Sequence, residues 1–204
     1  MDRSLTRTVA SIALLAIARS AQSGSETQVI EQIEIAPLFY LPFACIEHPE
    51  GQLSDPGDAL GSDCLVVGGL RGPSPGLMRF YEGTGVHNED WFGWHAEVHA
   101  PFDGIVKDIA INPVTNDPGK QGHPPASYIS VQRSDSTVVI YAHIASASAR
   151  VGERVMAGQV IALVGNNGTA KAPHIHVGAF LGKTPLQIRW NLRAEGAIST
   201  LRGQ

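Results

Sequence analysis

Between residues 97 and 180 the chain is a succession of short runs with strand character, each closed by turn residues, and no stretch of helical period competes with them. The runs are Glu97 to Ala100, Gly104 to Ile111, Ser127 to Gln132, Thr137 to His143, Val160 to Val164 and His174 to Phe180. Asp103-Gly104 and Ser134-Asp135-Ser136 have the chemistry of tight hairpin turns. Pro113 to Pro125 carries four prolines in thirteen residues and must leave any sheet. Short strands joined by tight turns bury their apolar positions by laying one sheet on another. The predicted fold class is therefore mostly β, an antiparallel sandwich or folded sheet. No repeat of solenoid period is present.

The residues before this series read differently. From 36 to 80 prolines and glycines are frequent, as in Asp55-Pro56-Gly57 and Arg71-Gly72-Pro73-Ser74-Pro75-Gly76, and the apolar runs are short. That composition predicts a loop-rich N-terminal cap within an extension covering 24–80, ahead of a β domain over 81–190 and a tail over 191–204. At the start, Arg3 and Arg7 precede the apolar run Val9 to Ala18 and small residues around Ser20 to Ser23. This is a secretory signal pattern, assigned to 1–23. A run of ten residues falls short of the roughly 20 needed to span a bilayer, and the first cysteine is at 45, so neither a stable membrane anchor nor a lipid anchor is expected. In an exported protein an isolated pair, Cys45 and Cys64, is most simply a disulfide, with two zinc thiolates as the other reading. Such a bridge contributes about 3 kcal/mol in the chain-entropy account.

A chain of 204 residues suits one ordinary domain, and a monomer is the simplest expectation. The net charge of −4 offers no basic field to neutralise phosphates, which excludes nucleic acid as an expected partner.

Histidine carries the chemistry. His174 and His176 stand two apart in a run of strand character, so both imidazoles emerge on one face about 6.6 Å apart at Cα. Two such rings can share one space as a metal ligand and a proton-handling partner, or they can be ordinary half-exposed strand residues. A second β-rich run, Val138 to Ala142, ends in His143. Turn-strand-turn units follow, Gly152 to Ala162 and Gly165-Asn166-Asn167-Gly168, and lead into the His-x-His strand.

The ordered series Val98-His99-Ala100-Pro101-Phe102-Asp103-Gly104, Tyr141-Ala142-His143, Val151-Gly152 to Ile161, Gly165-Asn166-Asn167-Gly168 and Pro173-His174-Ile175-His176 resembles the lysostaphin-type zinc endopeptidases over roughly 80–182. The resemblance implies the duplicated hybrid motif fold, a twisted antiparallel β-sandwich with a groove floored by the sheet. It also implies Zn2+ as cofactor and peptide cross-bridges of bacterial cell-wall peptidoglycan as substrate. On the same ground His176 is a metal ligand, while His143 and His174 are the catalytic histidines. The family's remaining ligands come from a His-x-Gly-x-Asp segment. The nearest candidate here is Val86-His87-Asn88-Glu89-Asp90-Trp91, which makes His87 and Asp90 the expected partners of His176. They are three apart instead of four and lack the glycine. On a regular strand they would face opposite ways, so a turn or bulge is required.

Glu89, His95 and His99 are substitute ligands that do not restore the spacing. His48, inside the expected disulfide loop, and His123, in the proline-rich excursion, read as exposed polar residues. Trp91, Trp94 and Tyr128 read as packing aromatics before groove-lining ones. Asn166 and Asn167 read as turn residues able to adopt positive φ. Besides hydrolysis, the pattern leaves a non-enzymatic module of the same fold that binds cell wall or regulates a hydrolase. A phosphotransfer domain is disfavoured by the export signal.

Overall fold

A computed structural model of the chain describes residues 29–69 and 78–201, and the expected signal segment 1–23 lies outside the described residues. Its strands are β1 (Gln32–Ile35), β2 (Phe43–Glu47), β3 (Ser62–Val66), β4 (Glu97–His99), β5 (Gly104–Ala110), β6 (Tyr128–Gln132), β7 (Thr137–Ala142), β8 (Ile144–Ala147), β9 (Arg154–Val155), β10 (Val160–Val164), β11 (Ile175–Leu181) and β12 (Thr184–Trp190). One helix, α1 (Leu192–Leu201), follows them.

Nine strands form the main sheet, along the path β1-β12-β11-β7-β6-β5-β9 with β3 paired to β11 and β2 to β3. A second sheet, β4-β10-β8, lies against it. The core fills the space between: Val106, Val131, Val139 and Tyr141 of the large sheet meet Val98, Ile144, Ile161 and Val164 from the small one. The fold is mostly β, as expected.

The six predicted runs coincide with β4, β5, β6, β7, β10 and β11, because each carries its own apolar alternation and its own turn. The stretch 24–80 differs from a separate cap. It supplies β1, β2 and β3, all hydrogen-bonded into the main sheet, and β1 runs parallel to β12. These strands are four or five residues long, and β2 and β3 are linked by a proline- and glycine-rich loop, so local composition hides them. What specifies them is partnership: Cys45 pairs with Cys64 in the β2–β3 ladder, and the two form a disulfide as expected.

One edge of β11 is divided between two partners. Ile175 to Val177 pair with β3, Ala179 to Leu181 pair with β12, and the opposite edge is covered by β7 from His176 to Leu181. The division falls at Gly178. Among the described residues no helix is long and apolar enough to cross a membrane.

Candidate metal centre and groove

Strand register brings the site together. His176 stands opposite Asp63 of β3 on one side and Ala142 of β7 on the other, and Asp63 stands opposite Ile46 of β2. Directly opposed residues share a face. Asp63, His176, Ala142 and Ile46 therefore floor one surface, while Cys64, Ile175 and Val177 point into the core. The chain leaves β2 after Glu47, and His48 N–H donates to Gly61 O at 2.8 Å, which keeps His48 beside this floor. His143 lies just past β7 at φ 68°, a left-handed backbone that costs a non-glycine residue about 1–2 kcal/mol and breaks the strand before β8. The result is a groove of about 600 Å³ whose lining includes Ile46, Leu53, Leu65, Pro124 and Ala126 around the four histidines 48, 143, 174 and 176.

The hydrogen bonds of those histidines follow one rule. Backbone carbonyls only accept, so a ring nitrogen bonded to one must carry its proton. His48 Nδ1 bonds Asp58 O at 3.3 Å, His143 Nδ1 bonds Asn167 O at 2.9 Å, His174 Nδ1 bonds Ala172 O at 2.8 Å and His176 Nε2 bonds Gly57 O at 3.1 Å. Each neutral ring then presents its other nitrogen as a lone pair. His48 Nε2 lies 3.5 Å from Asp63 Oδ2, His176 Nδ1 lies 3.0 Å from Asp63 Oδ1, and His174 Nε2 lies 3.6 Å from Asp63 Oδ1.

Lone pairs of two imidazoles facing both oxygens of a carboxylate repel unless a proton or a cation lies among them. Ligand atoms of His48, Asp63 and His176 all lie within 4.8 Å of one another. Tetrahedral zinc with ligands at about 2.0–2.2 Å separates them by roughly 3.3–3.6 Å, close to the 3.0 and 3.5 Å seen here. The donor set, two histidines and a carboxylate, is that of an open hydrolytic zinc site. The residues fit the ion.

Without a cation, protons take its place. Burial alone would lower the His176 pKa, but its bonds to Asp58 and Asp63 outweigh burial and raise it from 6.5 to about 10. Burial would raise Asp63, yet bonds from His174 and His176 hold it well below the usual carboxylate range. His143 moves the other way, from 6.5 to about 4, through burial and the neighbouring His174. Its ring lies beside that of His174, centroids 4.7 Å apart.

Of the residues expected to form the site, His143, His174 and His176 come together, and His87 and Asp90 do not join them. His87 is exposed, and Asp90 ends the 3-10 turn Asn88–Asp90, where its carboxylate accepts the His87 backbone N–H at 3.3 Å. The required turn exists, but it turns Asp90 inward to its own backbone. Asn88 anchors it elsewhere, with Nδ2 donating to Asn116 O and Oδ1 accepting Asn166 Nδ2. Among the described residues the one His/Asp/His group close enough to share a cation is His48, Asp63 and His176.

His48, read as exposed, is thus a half-buried member of the centre, with 13% of its side chain accessible. Asp63 went unread. Gly61-Ser62-Asp63 has the Gly-x-Asp half of the expected pattern with Ala59 at the histidine position, and the histidine beside Asp63 comes from 48 instead. The expected disulfide also pointed there: Asp63 precedes Cys64 and His48 follows Cys45 by three. Of the other substitutes, Glu89 is exposed. His99 is buried and bonds Leu38 O, and His95 stacks on Trp94. Trp91, Trp94 and Tyr128 do not line the groove. Asn166 and Asn167 are buried anchors, and the left-handed residue of their turn is Gly168.

Residues 90–187 match the family model described as peptidase family M23. His48 and Asp63 precede that stretch. Among solved structures, the chain is similar to an M23 protein of Pseudomonas aeruginosa at 21% identity, covering 45% of this chain and 36% of that one, with TM-score 0.37. It is similar to a mutant of the catalytic domain of EnpA, a prophage-encoded M23 protein of Enterococcus faecalis, at 19% identity over 72% of this chain and 87% of that one, TM-score 0.46. It is also similar to the catalytic domain of lysostaphin, an antimicrobial peptidase of Staphylococcus simulans, at 21% identity over 52% and 86%, TM-score 0.36. No curated protein matches the chain. Residues 90–187, which supply His143, His174 and His176 to the groove, belong to peptidase family M23, the lysostaphin-type metallopeptidases.

Proposed function

We propose that the protein is an exported zinc endopeptidase that hydrolyses peptide bonds in bacterial cell-wall peptidoglycan, acting as a monomer. One observation carries this reading. Four histidines around one groove each have a ring nitrogen held by a backbone carbonyl and the other turned to the groove, three of them against Asp63. Packing alone does not require four rings each fixed in one tautomer by a backbone carbonyl, three through Nδ1 and His176 through Nε2, beside a carboxylate.

His48 Nε2, Asp63 and His176 Nδ1 would hold zinc, which supplies Lewis acidity towards a peptide carbonyl and lowers the pKa of water. His143 and His174 do the proton work. Burial keeps His143 uncharged at neutral pH, so its Nε2 can accept a proton, and Asn167 O fixes the ring's orientation. The neighbouring Nε2 of His174, once protonated, donates to a developing oxyanion. The apolar walls of the groove reduce competition from water and suit an extended peptide. The disulfide supports an oxidising compartment.

The alternative, a non-enzymatic wall-binding member, drew on an incomplete ligand set at 87–90, and the cluster of His48, Asp63 and His176 weakens that motive. Metal analysis and dye release from labelled peptidoglycan test the proposal. About one zinc per chain is expected. Zinc is lost in His176→Ala and in Asp63→Ala, while His143→Ala retains it and slows hydrolysis about 10²–10⁴-fold. A reconstituted wild type without zinc, or a zinc-loaded one that releases no peptide-linked fragment, defeats it.

A further inference from the structure

The turn from Asp55 to Leu60 takes no part in proton transfer, yet it touches both metal-facing histidines from behind. Gly57 O accepts His176 Nε2 at 3.1 Å and Asp58 O accepts His48 Nδ1 at 3.3 Å. The Asp58 carboxylate adds a second acceptor, Oδ1, 3.2 Å from His176 Nε2. The turn is held by its own bonds, Asp58 N to Asp55 O at 2.8 Å and Ala59 N to Asp55 O at 2.7 Å. Its seat on β11 depends on a missing side chain: a Cβ at Gly178 would stand 1.7 Å from Gly57 O. Gly178 shares the groove face with His176, two residues away, so the turn lies directly over the strand that carries the ligand.

On the footing of the metallopeptidase reading, we propose that Asp58 is a positioning residue of the metal centre. The Gly57-Asp58 turn is an outer shell that locks His48 and His176 in the tautomers that bind the ion. A carboxylate holding the far N–H of a ligating imidazole orients the ring and makes its other nitrogen a stronger donor, and losing such a partner typically weakens metal binding 10–100-fold. Asp58 does this for His176 while its own backbone carbonyl serves His48. One residue therefore couples both histidine ligands.

Full-length metal-free protein titrated with Zn2+ against a chromophoric chelator, and with Co2+ by visible absorption, tests this. Asp58→Asn and Asp58→Ala are expected to bind Zn2+ about 10–100-fold more weakly, with cobalt bands at wild-type wavelength and intensity, and Asp58→Glu restores part of the affinity. Gly178→Ala, which forces the turn off β11, weakens binding similarly with Asp58 intact. If that variant does not fold, the Asp58 series still decides. Affinities within twofold of wild type in both Asp58→Asn and Asp58→Ala overturn the proposal. Displaced cobalt bands overturn it in favour of a direct ligand, and faster turnover at unchanged affinity overturns it in favour of a contact that blocks the groove. In all three the wild type holds zinc and the metallopeptidase reading stands. A wild type that takes up no zinc overturns both.

Discussion

His176 is bonded on both sides of its ring, and that double attachment has a measurable sign. Its pKa in the metal-free fold is about 10, against 6.5 when free. Between those values the folded chain holds a proton the unfolded chain has released. The stability it contributes is complete below about pH 6.5 and lost as pH climbs to about 10. His143 has the opposite sign. At about 4 it resists protonation in the fold, so its contribution is complete above about pH 6.5 and lost as pH falls towards 4. Thermal unfolding of metal-free protein should therefore give a Tm that peaks near pH 6.5. His176→Gln should flatten the alkaline limb and His143→Gln the acidic limb. A Tm that rises steadily from pH 6.5 to 10 would contradict the protonated His176–Asp63 contact.

At the scale of elements, β7 shows how one strand serves two purposes. Ala142 faces the groove and Tyr141 the core, where the phenol is fully buried and its hydroxyl meets no hydrogen-bond partner. Burial pushes that hydroxyl's pKa up. An unsatisfied buried hydroxyl destabilises by about 1–3 kcal/mol, so Tyr141→Phe should raise the unfolding free energy by about 1 kcal/mol in denaturant titration, with zinc affinity unchanged. The loop before β11 behaves oppositely. Asn167 accepts Ser127 N–H at 2.7 Å, donates to Ile144 O at 2.8 Å and offers its carbonyl to His143. Asn167→Ala removes both side-chain bonds and should destabilise by about 1–3 kcal/mol, with a fall in kcat larger than any change in zinc affinity.

Legibility divides along the same lines. The strands β4 to β7, β10 and β11 could be read because periodicity and turn chemistry are local, and so could His143, His174 and His176, which end or begin those strands. His48 and Asp63 are fifteen positions apart across a loop of prolines and glycines, and only pairing between β2 and β3 unites them. His87 and Asp90 are close in sequence, but their 3-10 turn folds the Asp90 carboxylate onto its own backbone and away from a shared cation. The parallel β1–β12 pair joins the two ends of the described chain and leaves no local trace.

For the molecule as a whole, ligand binding and folding are linked. A metal that binds only the folded form adds about 2.7 kcal/mol at a free concentration one hundred times its Kd, which in a chain of this size is about 5–10 °C in Tm. Calorimetry with and without Zn2+ should show that rise, and His48→Ala should remove most of it. The main sheet also carries a covalent cross-link beside the site. Cys45 and Cys64 join the two strands from which His48 and Asp63 extend. Replacing both cysteines by alanine should lower stability by about 3 kcal/mol and weaken zinc binding, since only the ladder hydrogen bonds and a 14-residue loop (48–61) then hold β2 to β3. The cross-link therefore sits beside the ligand pair, and reducing it is expected to loosen His48 against Asp63 before it disturbs His174 and His176, whose strand is held by β7.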